Sequence, residues 1–142
     1  MRQAQSVKKG VKESGGTPRE FCTITVTDGI AMGHEGMKSS LISREIIADS
    51  AELTVRGHCY DALVGIAGCD KSLPGLMMSM LRLNVPSVFI YGGSILPGKF
   101  KGKDVTVVDV FEAVGKHSSG QMSAKELRKL ELVACPSAGA CG

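Results

Sequence analysis

Tryptophan is absent from this 142-residue sequence, and there are only two tyrosines and four phenylalanines. Stacking platforms for bases are therefore scarce. The net charge of +3 comes from scattered basic residues, so a nucleic-acid partner is not expected. Long apolar runs are also missing. None approaches the roughly 20 residues needed to cross a bilayer, and no secretory signal opens the sequence, so no membrane partner is expected either. There is no internal repeat, low-complexity segment or domain boundary, and the length suits one domain with a real core. The five cysteines, Cys22, Cys59, Cys69, Cys135 and Cys141, are odd in number. In a chain too large to need staples, such cysteines bind metal or stay as buried thiols in a reducing compartment.

Glycine, in contrast, is abundant, with 18 residues, and clusters beside strand-like runs, as tight turns and close backbone approach require. The central stretch is Ala62 to Gly75. Its apolar run, closed by Gly68, predicts a buried strand. Leu76 to Leu83 predicts a helix, with Ser72 as cap and Pro74 in its first turn. Cys69, Asp70 and Lys71 then sit where a strand ends and a helix begins, the place where open α/β sheets bind ligands.

Around this stretch, Gln3 to Ser14 reads as an amphipathic helix stopped by Gly15-Gly16. Phe21 to Thr27 alternates and is rich in β-branched residues, predicting a strand that ends at Asp28-Gly29. A glycine-punctuated loop, Ile30 to Met37, carries His34 and Glu35. Lys38 to Arg56 is helical, with Ile42, Ile46 and Leu53 on one expected inward face and Asp49 among them, an acid expected to bond a nearby loop. Val85 to Tyr91 is a further strand closed by Gly92-Gly93-Ser94. Lys99 to Lys103 reads as a basic loop, Asp109 as the cap of a helix, and Ser123 to Glu126 as a capping box for a last helix with Leu127, Leu130 and Val133 inward. The fold class is α/β, a sheet flanked by helices. Parallel strands would bring Asp28, the Cys69-Asp70-Lys71 turn and Gly92-Gly93-Ser94 along one edge.

The residues alone leave several chemistries open. Asp28 and Asp70 could share a hard cation such as magnesium or be two turn-forming aspartates. Cys69 and Cys141 could ligate a cluster or zinc, or be unreactive thiols; the small residues of Gly139-Ala140-Cys141-Gly142 favour a cluster, whose sulfides backbone amides could approach. Lys71 could bind phosphate at a helix start, although the stretch lacks P-loop order. His34 and Glu35 could be acid/base groups or simply order their loop. Cys22 and Cys59 read as structural.

Taken together, Thr25-Val26-Thr27-Asp28-Gly29-Ile30-Ala31-Met32-Gly33-His34-Glu35-Gly36-Met37, Ser43-Arg44-Glu45-Ile46-Ile47-Ala48-Asp49-Ser50, Gly68-Cys69-Asp70-Lys71, Tyr91-Gly92-Gly93-Ser94 and the segment from Cys135 to Gly142 resemble the dihydroxy-acid dehydratase family, which also holds 6-phosphogluconate and sugar-acid dehydratases. The Gly-His-Glu-Gly-Met loop is similar to the dihydroxy-acid branch. The resemblance implies that Cys69 and Cys141 ligate an iron–sulfur cluster, with a 2Fe-2S form favoured over 4Fe-4S. It implies that Asp28, Asp70 and Lys71 bind magnesium, Lys71 as a carbamate, and it leaves His34 and Glu35 as substrate-loop candidates. The implied reaction is dehydration of a 2,3-dihydroxy carboxylate such as 2,3-dihydroxy-isovalerate to a 2-keto acid, in the synthesis of valine, isoleucine and leucine. Cluster iron would act on the departing 3-hydroxyl and magnesium would hold the carboxylate and 2-hydroxyl.

The family pattern also includes a third cluster cysteine, expected just before Met1, and a C-terminal β-barrel domain that supplies a magnesium-binding glutamate and a serine base. The 142 residues are accordingly expected to be a partial N-terminal domain of a larger two-domain enzyme, inactive alone. The full-length protein is expected to be a homodimer in bacterial cytoplasm, or in an organelle if eukaryotic. A sugar-acid or phosphogluconate dehydratase, and a non-catalytic metal- or anion-binding module, are the alternatives.

Overall fold

The computed structural model describes residues 2–140; Cys141, assigned above to the cluster, lies outside them. The chain is α/β, with small sheets flanked by helices, and its contacts divide after Gly92 into two compact units.

In the first unit, helix α1 (Arg2–Glu13) is followed by Gly15 at φ 82°, the left-handed stop that a glycine pair supplies. The core motif is β1 (Leu63–Ala67), α4 (Ser72–Leu83) and β2 (Ser87–Tyr91), with β1 and β2 parallel and Leu63 opposite Ser87. β1 is not buried throughout as its apolar run suggests. It alternates: Leu63, Gly65 and Ala67 face the core, while Val64 is 37% exposed. The short helix α2 (Asp28–Ala31) and a 3-10 turn (Glu35–Met37) precede the long helix α3 (Lys38–Gly57).

Two expectations for this unit are corrected. Residues 21–27 form no strand among the described residues. Their alternation favours extended backbone, but a strand also needs a hydrogen-bonded ladder, and none forms with them among the described residues. Phe21 nevertheless anchors the segment by packing against both apolar clusters of the unit, one built on Ile47, Ala51, Ala67 and Leu76, the other on Val55, Leu63 and Leu83. The second correction concerns α3. Ile42, Ile46 and Leu53 are exposed, and the buried face is Ser40, Ser43, Ile47, Ala48, Ala51 and Val55. Small residues prevail there because α4 lies close: a β-carbon on Gly75 would stand 2.8 Å from the Arg44 carbonyl oxygen and from Ile47. Asp49 is on the outer side and binds Arg82 of α4 at 2.7 Å rather than a loop.

The second unit holds a hairpin, β3 (Gly98–Phe100) and β4 (Lys103–Val105), and helices α5 (Val107–Ser118) and α6 (Ala124–Ala134). The supposed basic loop is this antiparallel hairpin. Lys101 and Gly102 turn it with φ of 49° and 79°, the paired left-handed geometry that matches strand twist. Thr106, not Asp109, caps α5; Asp109 returns the bond from the third position of a capping box. Ser123 caps α6 as read, accepting from the Glu126 N–H at 3.3 Å, while the Glu126 carboxylate accepts from the Ser123 hydroxyl at 3.2 Å; Leu130 is buried with Leu127 and Val133 against it.

The close approach at Gly75 gives a prediction. Gly75→Ala gains about 1 kcal/mol of helix propensity but forces overpacking worth about 1–3 kcal/mol. A net loss is expected, read as several-fold faster amide exchange in α3 and α4 with α6 unchanged. Unchanged exchange in both helices would mean that the contact is not tight.

Candidate functional site

The site is built at the start of α4. β1 ends at Ala67, the chain turns through Gly68, Cys69 and Asp70, and Lys71 is the last residue before the helix. Ser72 does not cap the helix. Its hydroxyl donates to the Cys69 carbonyl at 3.0 Å and accepts from the Cys69 N–H at 3.2 Å, closing the turn on itself. The end of β2 lies beside this turn, with the Gly92 N–H on the Ala67 carbonyl at 2.7 Å.

Lys71 reaches away from its own turn to Asp28, 43 residues earlier in the chain, with Nζ donating to Oδ2 at 2.9 Å. The same ammonium donates to Asp70. Lys71 and Asp28 are 15% and 16% exposed and Asp70 is 58% exposed, so the group is a shallow pit with one open carboxylate. The other oxygen of Asp28 accepts a hydrogen bond from Ser40, a residue of the first turn of α3 that nothing in the sequence singled out.

These bonds set the charges. Ser40 first, then Lys71, hold the Asp28 carboxyl below the usual carboxylate range. Asp70 first, then Asp28, push the Lys71 ammonium above the usual lysine range. Two carboxylates against one ammonium leave the pit net negative, with hard oxygen donors converging on one point, where the ammonium now occupies the place of a cation. That donor set suits a hard divalent ion such as magnesium. Among the described residues no group of three or more His, Cys, Asp or Glu gathers as a metal site, so the two aspartates would need Lys71, or ligands from elsewhere, to complete a shell.

Cys69 is a half-buried free thiol, 3.9 Å from the Val26 carbonyl oxygen. It is a soft donor open to a cluster, but only this one expected cluster ligand is within the described residues. Cys22, Cys59 and Cys135 are free and exposed. His34 orders its loop: Nε2 faces the Ile30 carbonyl at 2.9 Å and Nδ1 accepts from the Gly36 N–H at 3.0 Å. Glu35 pairs with Lys38 at 2.5 Å in the open.

The profile described as Dihydroxy-acid/6-phosphogluconate dehydratase N-terminal matches residues 1–142. The chain belongs to this family. It is 92% identical over 142 residues to a protein named dihydroxy-acid dehydratase from Pelagibacter ubique (strain HTCC1062), covering 100% of this chain and 25% of that protein. The dihydroxy-acid dehydratase of Parvibaculum lavamentivorans is 84% identical over the same span, again 25% of its length. That of Metallosphaera sedula is 58% identical over 139 residues. The chain thus spans about a quarter of the curated relatives that it matches. No helix among the described residues is long and apolar enough to cross a membrane.

The pit predicts a pH response in metal-free protein. The Asp28 pKa is depressed on folding, so its stabilisation is present above its unfolded value, about 3.9, and is lost as pH falls through the folded one. The Lys71 pKa is raised, so its share holds below its unfolded value, about 10.4, and goes as pH rises through the folded one. Asp28→Asn should therefore lower the urea midpoint by a constant amount between about pH 5 and pH 10, with the gap closing outside that window. A gap as large at pH 2 as at pH 7 would show that the charge on Asp28 contributes nothing.

Proposed function

We propose that this chain is the N-terminal part of a longer hydro-lyase that dehydrates 2,3-dihydroxy carboxylates, such as 2,3-dihydroxy-isovalerate, to 2-keto acids in branched-chain amino-acid synthesis. The observation that carries the reading is the convergence of Asp28, Asp70 and Lys71 on one point in a chain of this family. Relatives named dihydroxy-acid dehydratase support that branch over the phosphogluconate and sugar-acid branches.

In this reading Asp28, Asp70 and Lys71 hold magnesium, and Cys69 and Cys141 hold an iron–sulfur cluster, the 2Fe-2S form being favoured. When bound, the two groups supply Lewis acidity toward the hydroxyls and carboxylate of the substrate. The protein side of the work falls to the pit. Asp28, bonded by Ser40, keeps its charge and its orientation. Asp70 is the open carboxylate that faces an arriving ligand.

Lys71 becomes a ligand by conversion to a carbamate: its amine loses a proton, the nitrogen bonds the carbon of carbon dioxide, and a second proton leaves to solvent. The helix start favours this product. A cation at the N-terminal end of α4 opposes the helix dipole, whereas an anion is stabilised there. His34, with both ring nitrogens bonded to its own loop, orders that loop beside the pit's Asp28 segment, and the proton-transferring base lies outside these residues. The full-length protein is proposed to be a homodimer in a reducing compartment, bacterial cytoplasm or an organelle, which suits the free thiols.

Two outcomes are expected. In the full-length protein, Lys71→Arg keeps the positive charge but cannot form the carbamate, because guanidinium stays protonated. It should lose its magnesium and fall by orders of magnitude in turnover, while iron and acid-labile sulfide stay at the wild-type level. A variant that keeps its magnesium and a sizeable part of its rate makes Lys71 an ordinary cation. The 142-residue chain alone should form no keto acid; measurable turnover by it, free of host enzyme, would refute the assignment of the base to another segment. Zinc in place of iron and sulfide in the anaerobically prepared protein would favour a non-catalytic metal-binding module instead.

A further inference from the structure

The two oxygens of the Asp28 carboxylate have different partners. Oδ2 faces Lys71 Nζ at 2.9 Å, and Oδ1 accepts from the Ser40 hydroxyl. A serine hydroxyl has one proton to give. Inside a helix it usually goes to a carbonyl one turn back, as it does elsewhere in this unit: Ser43 bonds the Ser40 carbonyl at 2.5 Å, Ser50 that of Ile47 at 3.1 Å, and Ser79 that of Leu76 at 2.8 Å. Ser40 departs from this pattern. It is 1% exposed, and its only proton is spent on Asp28, 12 residues away.

We propose that Ser40 is a positioning residue that sets which cation the pit accepts, by holding Oδ1 and so fixing the Asp28 carboxylate with Oδ2 turned to the point where Lys71 now sits. The inference rests on the magnesium reading above. Magnesium requires near-octahedral geometry at about 2.0–2.1 Å and takes single oxygens, whereas calcium accepts six to eight oxygens and carboxylates that bind through both. An Asp28 free at both oxygens could close on calcium. Oδ1 keeps a lone pair while it accepts from Ser40, but turning the carboxylate to bring both oxygens onto one ion would break that bond and strand a buried hydroxyl, which is costly.

The test uses the full-length protein, stripped of divalent ions with a chelator. Magnesium and calcium binding are measured separately by calorimetry, with cluster content and thermal unfolding as controls. Ser40→Ala should weaken magnesium about tenfold, at the low end for loss of an outer-shell partner. Calcium should change by less than about twofold or tighten, so that the preference for magnesium falls about tenfold. Ser40→Thr keeps the hydroxyl and should keep the preference. Ser40→Cys, a weaker donor of nearly the same shape, should lose part of it and serves if Ser40→Ala does not fold.

An unchanged ratio of the two affinities in Ser40→Ala overturns the proposal, whether both affinities stay or both fall together. Ser40→Thr losing the preference as Ser40→Ala does would overturn it too. Asp28→Asn separates the two levels. If it binds both ions like the wild type, or if the wild type binds neither, the magnesium reading fails and this inference with it. If Asp28→Asn abolishes binding while Ser40→Ala keeps the ratio, only the inference about Ser40 fails.

Discussion

One ammonium group ties the first unit together at its functional end. Lys71 precedes α4, and Asp28 belongs to a segment that no sheet ladder holds; the bond between them at 2.9 Å spans 43 residues of sequence. Without it Asp28 would keep only Ser40, and the segment before α2 would keep its anchorage through Phe21 and the Lys8–Glu20 pair. Neither end is free to drift. Lys71 is fixed by the turn that Ser72 closes on Cys69, and Ser40 by a helix whose other buried residues pack on α4. The precision of the pit therefore derives from the α3–α4 packing, which admits no β-carbon at Gly75 without displacement. Arg82 ties the same two helices on their outer side, pairing with Asp49 at 2.7 Å.

What the sequence made legible was local. The strand, turn and helix from Leu63 to Leu83 announce themselves by an apolar run, a glycine, three polar residues and a second apolar run, each with a near-neighbour cause. The Ser123 cap is equally local. What could not be read depends on distant partners. Residues 21–27 have a strand's composition, but whether a ladder forms is decided by what lies alongside. The large apolar residues of α3 point to the wrong face of the helix. Close helix packing instead selected small residues, Ser40, Ser43, Ala48 and Ala51, around Ile47 and Val55. The Lys101-Gly102 turn is not legible because only its glycine signals a left-handed turn; the lysine at φ 49° does not.

The site divides in the same way. Asp28 and the Cys69-Asp70-Lys71 turn each stand out beside a structural break, and both lie within the residues that the family profile matches. Their meeting could be proposed from order along the chain, and the geometry brings Asp28, Asp70 and Lys71 within reach of one another. Ser40 gave no signal, since a serine in the first turn of a helix is among the commonest of residues. Only the direction of its one proton distinguishes it from Ser43, Ser50 and Ser79. His34 and Glu35 stand out in sequence through a glycine-rich loop, yet their bonds are to that loop and to Lys38.

The charges of the pit make its proposed ligand and its proposed modification interdependent. With only protons to exchange, Lys71 is an ammonium, as lysine is at neutral pH, and Asp28 and Asp70 push it further that way; an ammonium does not react with carbon dioxide. A second cation taking up the two carboxylates removes that bias and sets a positive charge beside the ammonium, which disfavours its charged form. The amine can then be neutral, and the carbamate that forms adds a negative charge where the dipole of α4 and the cation both favour one. Each event lowers the cost of the other, so by linkage carbon dioxide should raise the affinity for the cation as much as the cation raises that for carbon dioxide. Such reciprocity needs a lysine whose charge its neighbours favour when the cation is absent. That is the state of Lys71 here, with one carboxylate buried and fixed by Ser40 and the other open to solvent.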